Sequence, residues 1–444
     1  MRPMLFTNGR VVDPSQGLDE IASLLVQDGR VAGVGRDLGL PEGAEVFDAT
    51  GLVIAPGLID VHVHLREPGQ EDRETIATGA MSAVAGGFTG ICAMPNTDPV
   101  IDNQGAVGFV KAKGESAGLA RVYPIGCVSV GQRGEQLAEF GEMAAAGAVA
   151  VSDDGHPVMS SHLMRTALEY ARTFDMPVAD HCEDLALAAG GAMHEGVVST
   201  RLGLKGIPAA AEEIHVARDI ILAELTGGHV HLCHMSTRGS VELIRRGKDR
   251  GLRVTAEAAP HHFTLTHERC DGYDTSAKMN PPLREAEDRD AIRAALADGT
   301  LDCIATDHAP HHYDAKEREF DDAPNGIIGL ETALSLALRE LVLSGRLSLP
   351  TLIERMSCAP ARLWHLQGGT LRPGSVADIV VFDPQAEWIV QPSLLRSKSR
   401  NTPWVGETLP GVVRATFVAG RSVFVRMAAE PPGGAELSPT RPVV

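Results

Sequence analysis

Apolar residues fall into two kinds of run along this chain. Near both ends they alternate with polar residues in short stretches broken by turn dipeptides. In the middle they gather into compact blocks separated by amphipathic segments. In the first 55 residues Asn8-Gly9 follows an apolar stretch, and Asp28-Gly29 stands between LLVQ and RVAGVG. Both dipeptides accept the left-handed backbone of a tight hairpin turn, so both are read as hairpin signals. A matching pattern returns in ADIVVFDP (Ala377–Pro384) and VVRATFVAGRSVFV (Val412–Val425). Together the two ends predict one small β-sandwich domain, 1–55 with 366–427. Residues 428–444 carry Pro, Gly and Ala without periodicity, which predicts a disordered tail.

Between the ends, over 56–365, strand-like blocks alternate with helical ones. The strand candidates are Leu58–His64, Thr89–Pro95, Arg121–Ser129, Ala148–Ser152, Pro177–His181, His229–His234, Leu252–Ala258 and Asp302–Asp307. Helical segments such as Ser161–Phe174, Ala210–Leu225 and Gly239–Arg250 separate most of them. Eight strands with intervening helices predict an α/β fold, a (β/α)8 TIM-like barrel. A doubly wound sheet is the alternative. It is disfavoured because no G-x-G-x-x-G follows an early strand and no phosphate-binding G-x-x-x-x-G-K-[ST] occurs.

Charge narrows the partners. The formal net charge is −18, from 58 acidic and 40 basic residues, which repels nucleic acid and anionic membranes. A small anionic substrate stays compatible, because a few local arginines outweigh the global field. No apolar run reaches the roughly 18 residues of a membrane span, and Met1–Arg10 lacks the apolar core of a secretory signal. The cytoplasm is the expected location. Seven scattered cysteines without C-x-x-C fit reduced thiols there.

Catalytic residues of such barrels gather at the C-terminal strand ends. Here the first candidate ends in His62-Val63-His64, the fourth runs into Asp153-Asp154, the fifth ends at His181, the sixth at His234 and the eighth at Asp307. Side chains two apart on a strand share a face, so His62 and His64 can converge on one cation, and Arg66 has the same parity. Nitrogen and oxygen donors without thiolate suit Zn²⁺, with Mn²⁺, Co²⁺ or Fe²⁺ as alternatives. The sixth strand also carries His229 and His231, on the opposite parity to His234. His234 is preferred for its place at the C-terminal end, with the other two read as packing groups or as supports behind the ligands. Spacing does not choose between Asp153 and Asp154. His156, His162, His194, His215, His261, His262, His267 and His365 are read as surface or core residues.

IAPGLIDVHVHLREPG (Ile54–Gly69), AMPNTDP (Ala93–Pro99), VSDDGHPV (Val151–Val158), ADHCED, LCHMST, KMNPPLR (Lys278–Arg284) and IATDHAPH (Ile304–His311) together resemble the dihydroorotase branch of the amidohydrolase superfamily. The resemblance continues through GIIGLETALSL (Gly326–Leu336) into GSVADIVVFD. It implies His62, His64 and Asp307 on one metal, His181 and His234 on a second, and Asp154 bridging them. It implies zinc, one or two ions with two expected. Arg66 and Asn96 would clamp the substrate carboxylate, with Asn280, His311, Asn325 and Gly326 completing the pocket. The family usually has Phe-Gly where this chain has Asn325-Gly326, so a backbone contact survives there and a packing role for the ring does not. Many relatives, hydantoinases and allantoinases among them, bridge their metals with a carbamylated lysine on the fourth strand. No lysine occurs here between Lys113 and Lys205. An aspartate in its place resembles the bacterial dihydroorotase subgroup.

The resemblance further implies reversible cyclisation of N-carbamoyl-L-aspartate to L-dihydroorotate in pyrimidine biosynthesis. A metal-activated hydroxide would attack the ring amide, with Asp307 as general acid and base. Arg66 as a bidentate carboxylate clamp stands against a surface ion pair, and Asn96 and Asn280, each beside proline, against plain turn roles. The charged stretch 311–322 is either a loop that closes over substrate or a solvated connector. Two rival functions remain: another cyclic-amide hydrolase, such as an allantoinase or hydantoinase, and a silent scaffold for aspartate transcarbamoylase. The first is disfavoured by the missing lysine, the second by the complete ligand set. A homodimer, and an active enzyme associated with the transcarbamoylase, are both compatible with the sequence.

Overall fold

The computed structural model describes residues 2–426, and the tail expected at 428–444 lies outside them. Eight strands form a ring in chain order: β1 (Leu58–Val63), β2 (Phe88–Ala93), β3 (Arg121–Gly126), β4 (Ala150–Ser152), β5 (Val178–Asp180), β6 (Val230–Leu232), β7 (Val254–Ala258) and β8 (Cys303–Ile304). Each pairs in parallel with the next. The ring closes where Val63 bridges His308 and the His64 N–H donates to the His308 carbonyl at 2.8 Å. A doubly wound sheet has two open edges; here the first and last strands meet at this bridge, which makes the sheet a nearly closed barrel. These are the predicted strands, shortened at their ends, except that β2 begins one residue earlier, at Phe88.

The apolar part of the inner wall is made of small or branched side chains: Ile59, Val61, Cys92, Ile125, Ala150, Ala179, Cys233, Cys303 and Ala305. An eight-stranded barrel has room inside only for its own side chains, so this layer fills it without a pore. The outer faces of the strands pack on helices such as Ser161–Ala171. There the Ser160 hydroxyl caps the Leu163 N–H, and Leu163, Met164, Ala167, Leu168 and Ala171 are buried at helical spacing. Among the described residues no helix is long and apolar enough to cross a membrane.

Both ends of the described chain enter one further sheet. Its strand order is Arg421–Val425, Thr408–Val418, Ile379–Ile389, Val53–Pro56, Met4–Asp13, Leu18–Gln27 and Arg30–Gly35, with Glu45–Asp48 also on Met4–Asp13. The two ends thus share one continuous sheet, because Val53–Pro56 pairs antiparallel with Ile379–Phe382 and joins the two halves edge to edge. Phe6, Leu24, Ile379 and Phe417 are among the residues of its separate core. Asp28-Gly29 forms the predicted hairpin, with φ of 50° and 74° and Gln27 opposite Arg30. Asn8-Gly9 does not. It is a bulge inside Met4–Asp13, with Asn8 at φ 60°, and a Cβ on Gly9 would stand 2.5 Å from Ile54 Cδ1. The glycine is there for close packing, and the left-handed preference of the dipeptide serves a bulge as well as a turn.

Asp13 ties the ends together. Its buried carboxylate accepts from Ser15 N at 3.0 Å, from Leu371 N at 2.7 Å and from Thr370 Oγ1 at 3.2 Å, with Ser15 Oγ and Gln16 Nε2 as further donors. Asp13→Ala strands these donors away from water and is expected to cost about 3 kcal/mol of stability. The measurement is a denaturant midpoint shift at constant slope, and an unshifted midpoint would remove Asp13 from this role.

Candidate metal centre

The C-terminal mouth of the barrel gathers the residues that sequence spacing put at strand ends. His62 is the last residue but one of β1, where the strand register shifts, and His64 follows one residue beyond the strand. Asp154 follows β4, His181 follows β5, His234 lies beyond β6 and Asp307 beyond β8. All six are buried, none more than 4% exposed. His64 Nε2 lies 3.1 Å from Asp307 Oδ1 and His62 Nε2 3.5 Å from the same oxygen. His181 Nδ1 lies 3.0 Å from His234 Nε2. Asp154 stands between the two groups. Its Oδ2 is 3.3 Å from His62 Nε2 and 3.4 Å from His64 Nε2, while its Oδ1 is 3.2 Å from His234 Nε2 and 3.5 Å from His181 Nδ1. Each oxygen of one carboxylate thus faces a different pair of imidazoles.

This arrangement fits metal ions. Ligands about 2.0–2.1 Å from a tetrahedral ion lie about 3.3 Å from one another, which is the spacing of these donors. His62 Nε2 is buried and has no hydrogen-bond partner among the described residues, although carboxylate oxygens stand beside it. Donors that aim at a common centre, and not at each other, produce that combination. The donor atoms of His62, His64 and Asp307 cluster within 4.8 Å of one another, as do those of Asp154, His181 and His234. Electrostatics agree. Burial works against charge on His62, yet Asp154, Glu257 and Asp307 raise its pKa well above the ordinary value. Burial likewise opposes the charge on His181, and Asp154 and Glu183 bring it up to about 10. Burial would push the Asp154 and Asp307 carboxyls up, but the charge on His62 and bonds from neighbouring imidazoles hold both below the usual range. The protons held by the imidazoles are those that bound cations would displace.

Asp153, which spacing left level with Asp154, turns away and accepts from Val128 N at 2.9 Å and Ser129 N at 3.1 Å. Strict alternation put His234 on the other face from His229 and His231, yet His231 and His234 both face the barrel interior. The chain leaves the strand pattern after Leu232, and His234 adopts φ 39°. Arg66 and Asp307 also have positive φ, 63° and 47°. For non-glycine residues that backbone is costly and collects at functional sites. Arg66 therefore does not reach the mouth by strand parity, since β1 ends before it. It is held there by Nε donating to Pro310 O at 3.2 Å, and burial beside Arg73 lowers its pKa to about 10.

The other expected substrate contacts are placed as follows. Asn96 Oδ1 sits 2.8 Å from His64 Nδ1, so it orients that imidazole. Asn280 Nδ2 lies 3.2 Å from His181 Nε2 and 3.2 Å from Glu183 Oε2, and its buried Oδ1 has no partner among the described residues. His311 donates from Nε2 to the Asn325 carbonyl at 2.8 Å. Burial, with Arg66 nearby, lowers its pKa to about 2, so it is a neutral imidazole. Asn325 works there through its backbone. A Cβ on Gly326 would meet Ala309 O at 2.6 Å and His311 Cδ2 at 2.7 Å, and its φ is 149°, so only glycine fits. Two carboxylates escaped the sequence reading: Glu183, 3.6 Å from His181 Nε2, and Glu257, 2.7 Å from His62 Nδ1. Glu257 carried a signal, an acidic residue between alanines at the end of an apolar strand.

A family model described as "Dihydro-orotase-like" matches residues 51–240. The dihydroorotase of Pelobacter propionicus is 57% identical over 423 residues, which span 95% of this chain and 100% of that protein. The chain belongs to the dihydroorotase family. The dihydroorotase of Geobacter metallireducens is 52% identical, again over 95% of this chain and 100% of its own length. Among solved structures, the L-hydantoinase (dihydropyrimidinase) from Arthrobacter aurescens superposes with a TM-score of 0.86 at 27% identity, covering 96% of this chain and 98% of its own. A dihydroorotase-family chain thus has the barrel and terminal sheet of a hydantoinase-type cyclic amidohydrolase.

Proposed function

We propose that this chain is a zinc-dependent dihydroorotase, which closes N-carbamoyl-L-aspartate to L-dihydroorotate and opens the ring again, with two ions held at the barrel mouth. The observation that carries the reading is Asp154: one carboxylate offers each of its oxygens to a separate imidazole pair. His62, His64 and Asp307 would hold one ion and His181 and His234 the other. Zinc bound in such a site supplies Lewis-acid chemistry, polarising a carbonyl and lowering the pKa of water to about 7.

The chain's own residues do the rest. Asp307 Oδ1 faces the His62 and His64 imidazoles, and the carboxylate is held ionised, as a base must be. In ring opening it takes the proton of the attacking water and delivers it to the departing ring nitrogen; in ring closure it works in reverse. Arg66, buried beside Pro310 with no carboxylate paired to it among the described residues, would take the substrate carboxylate through paired hydrogen bonds. The unpartnered Asn280 Oδ1 offers an acceptor to a ring N–H. His311, neutral and fixed by Asn325 O, offers Nδ1 to the same pocket. The described cysteines are all buried and unpaired, which suits a reducing cytoplasm.

The expected result is turnover of dihydroorotate by the zinc-loaded protein, with hydantoin and allantoin at least 100-fold slower. Loss of activity on chelation and its return with zinc should accompany it. Turnover of hydantoin or allantoin alone would sink the substrate assignment. A protein that purifies without metal and turns over none of the three would instead be a scaffold.

A further inference from the structure

A line of polar side chains runs through the barrel below the ligand set, and the mechanism above makes no use of most of it. From His62 Nδ1 it passes to Glu257 Oε1 at 2.7 Å, then from Glu257 Oε2 to His231 Nε2 at 3.1 Å. His231 Nδ1 lies 2.8 Å from Thr255 Oγ1, and that oxygen lies 2.8 Å from His229 Nε2. All five side chains are buried. The pattern follows from strand geometry. His231 in β6 and His229 just before that strand share one face, Thr255 and Glu257 share one face of β7, and the pairing of His231 with Thr255 sets these faces side by side. Trp364 packs edge-on against His231 with ring centroids 5.2 Å apart.

The order of donors is constrained from the top. A His62 that ligates through Nε2 carries its proton on Nδ1 and donates it to Glu257 Oε1. A carboxylate only accepts, so the proton shared by Glu257 Oε2 and His231 Nε2 belongs to the imidazole. Glu257 Oε1 also accepts the His234 N–H at 3.2 Å, so this carboxylate touches a ligand from each half of the metal centre. Among the described residues, His231 is the one hydrogen-bond partner of Glu257 Oε2. Thr255 on the far nitrogen and Trp364 against the ring fix how the His231 ring is turned.

We propose that His231, held by Thr255, is a positioning residue of the metal centre: it locks Glu257, and Glu257 in turn locks the proton and ring orientation of His62. This rests on the reading that His62 is a metal ligand. Supports behind metal-binding histidines raise affinity 10–100-fold when they are carboxylates one bond away. Here the support extends one group further, to a histidine with no contact to substrate.

The test measures zinc affinity by chelator competition and the visible absorption of the cobalt-substituted protein, with unfolding midpoints alongside. His231→Phe keeps the ring against Trp364 and removes the donor; zinc affinity should fall 10–100-fold, as for Glu257→Gln, and the cobalt spectrum should change. The pair combined should be no weaker than Glu257→Gln alone, because both act on one contact. His231→Gln restores an N–H toward Glu257 and should bind zinc within about threefold of wild type. Thr255→Val, equal in shape, should weaken zinc several-fold and serves if His231→Phe does not fold. Wild-type affinity in both His231→Phe and Thr255→Val overturns the proposal. So does a His231→Gln protein as weak as His231→Phe, which would mean packing alone. His62→Ala separates the two levels: if it binds zinc like wild type, the reading of the metal centre itself fails.

Discussion

Asp307→Asn is expected to reduce turnover on the order of 10³-fold in both directions while the protein stays folded. Asparagine keeps the size of the side chain and an oxygen toward His62 and His64, so the buried packing at the mouth has no reason to change. What it loses is the ability to take up and return a proton. The Asp307 carboxyl is held ionised by the surrounding imidazoles against the effect of burial, which is the form that can take up a proton. Forward and reverse rates should fall together, since one group carries the proton both ways. Asparagine is also the poorer ligand, so zinc content must be measured on the same samples. A variant that keeps its metal and runs within tenfold of wild type places the proton transfer on another group.

The second large effect concerns the other half of the site. His181→Ala should lower affinity for the ion between Asp154, His181 and His234 by about 10²-fold or more, beyond the loss that removal of a mere supporting partner brings. Activity should fall with metal content. The reason is geometric: only His181 Nδ1 and His234 Nε2 face Asp154 Oδ1, and removing one leaves two donors at that end. His62, His64, Asp307 and Asp154 Oδ2 are untouched, so the first ion should remain. Metal analysis is therefore expected to show one ion lost and one retained. Full metal content with full activity would remove His181 from the ligand set.

Local pattern was enough to specify much of this protein. Eight apolar blocks alternating with amphipathic helices require a parallel sheet covered on its outer face. The residues at the ends of those blocks name the candidate metal site, because strand ends are where a barrel can bring distant stretches together. His62 and His64 were legible as a pair, since two residues apart on a strand is a contact fixed by the backbone. The hairpin at Asp28-Gly29 was legible for the same reason. Family resemblance, not spacing, chose Asp154 over Asp153.

Other features depend on contacts between segments far apart in the chain. Asn8-Gly9 is a bulge because Ile54 packs against it, which no local signal conveys. Asp153 and Asp154 are neighbours in sequence, and only the loop after β3, with its Val128 and Ser129 N–H groups, draws one outward. His234, Arg66 and Asp307 reach the mouth through left-handed backbone beyond the strand ends, where the rule of alternation no longer applies. Glu257 supports His62 across 195 residues of chain. The sequence alone thus determined which donors exist and which end of the barrel they share, since both follow from short-range periodicity. The tertiary structure decided which oxygen faces which imidazole, because that is fixed by the closure of the ring and the paths of the loops above it.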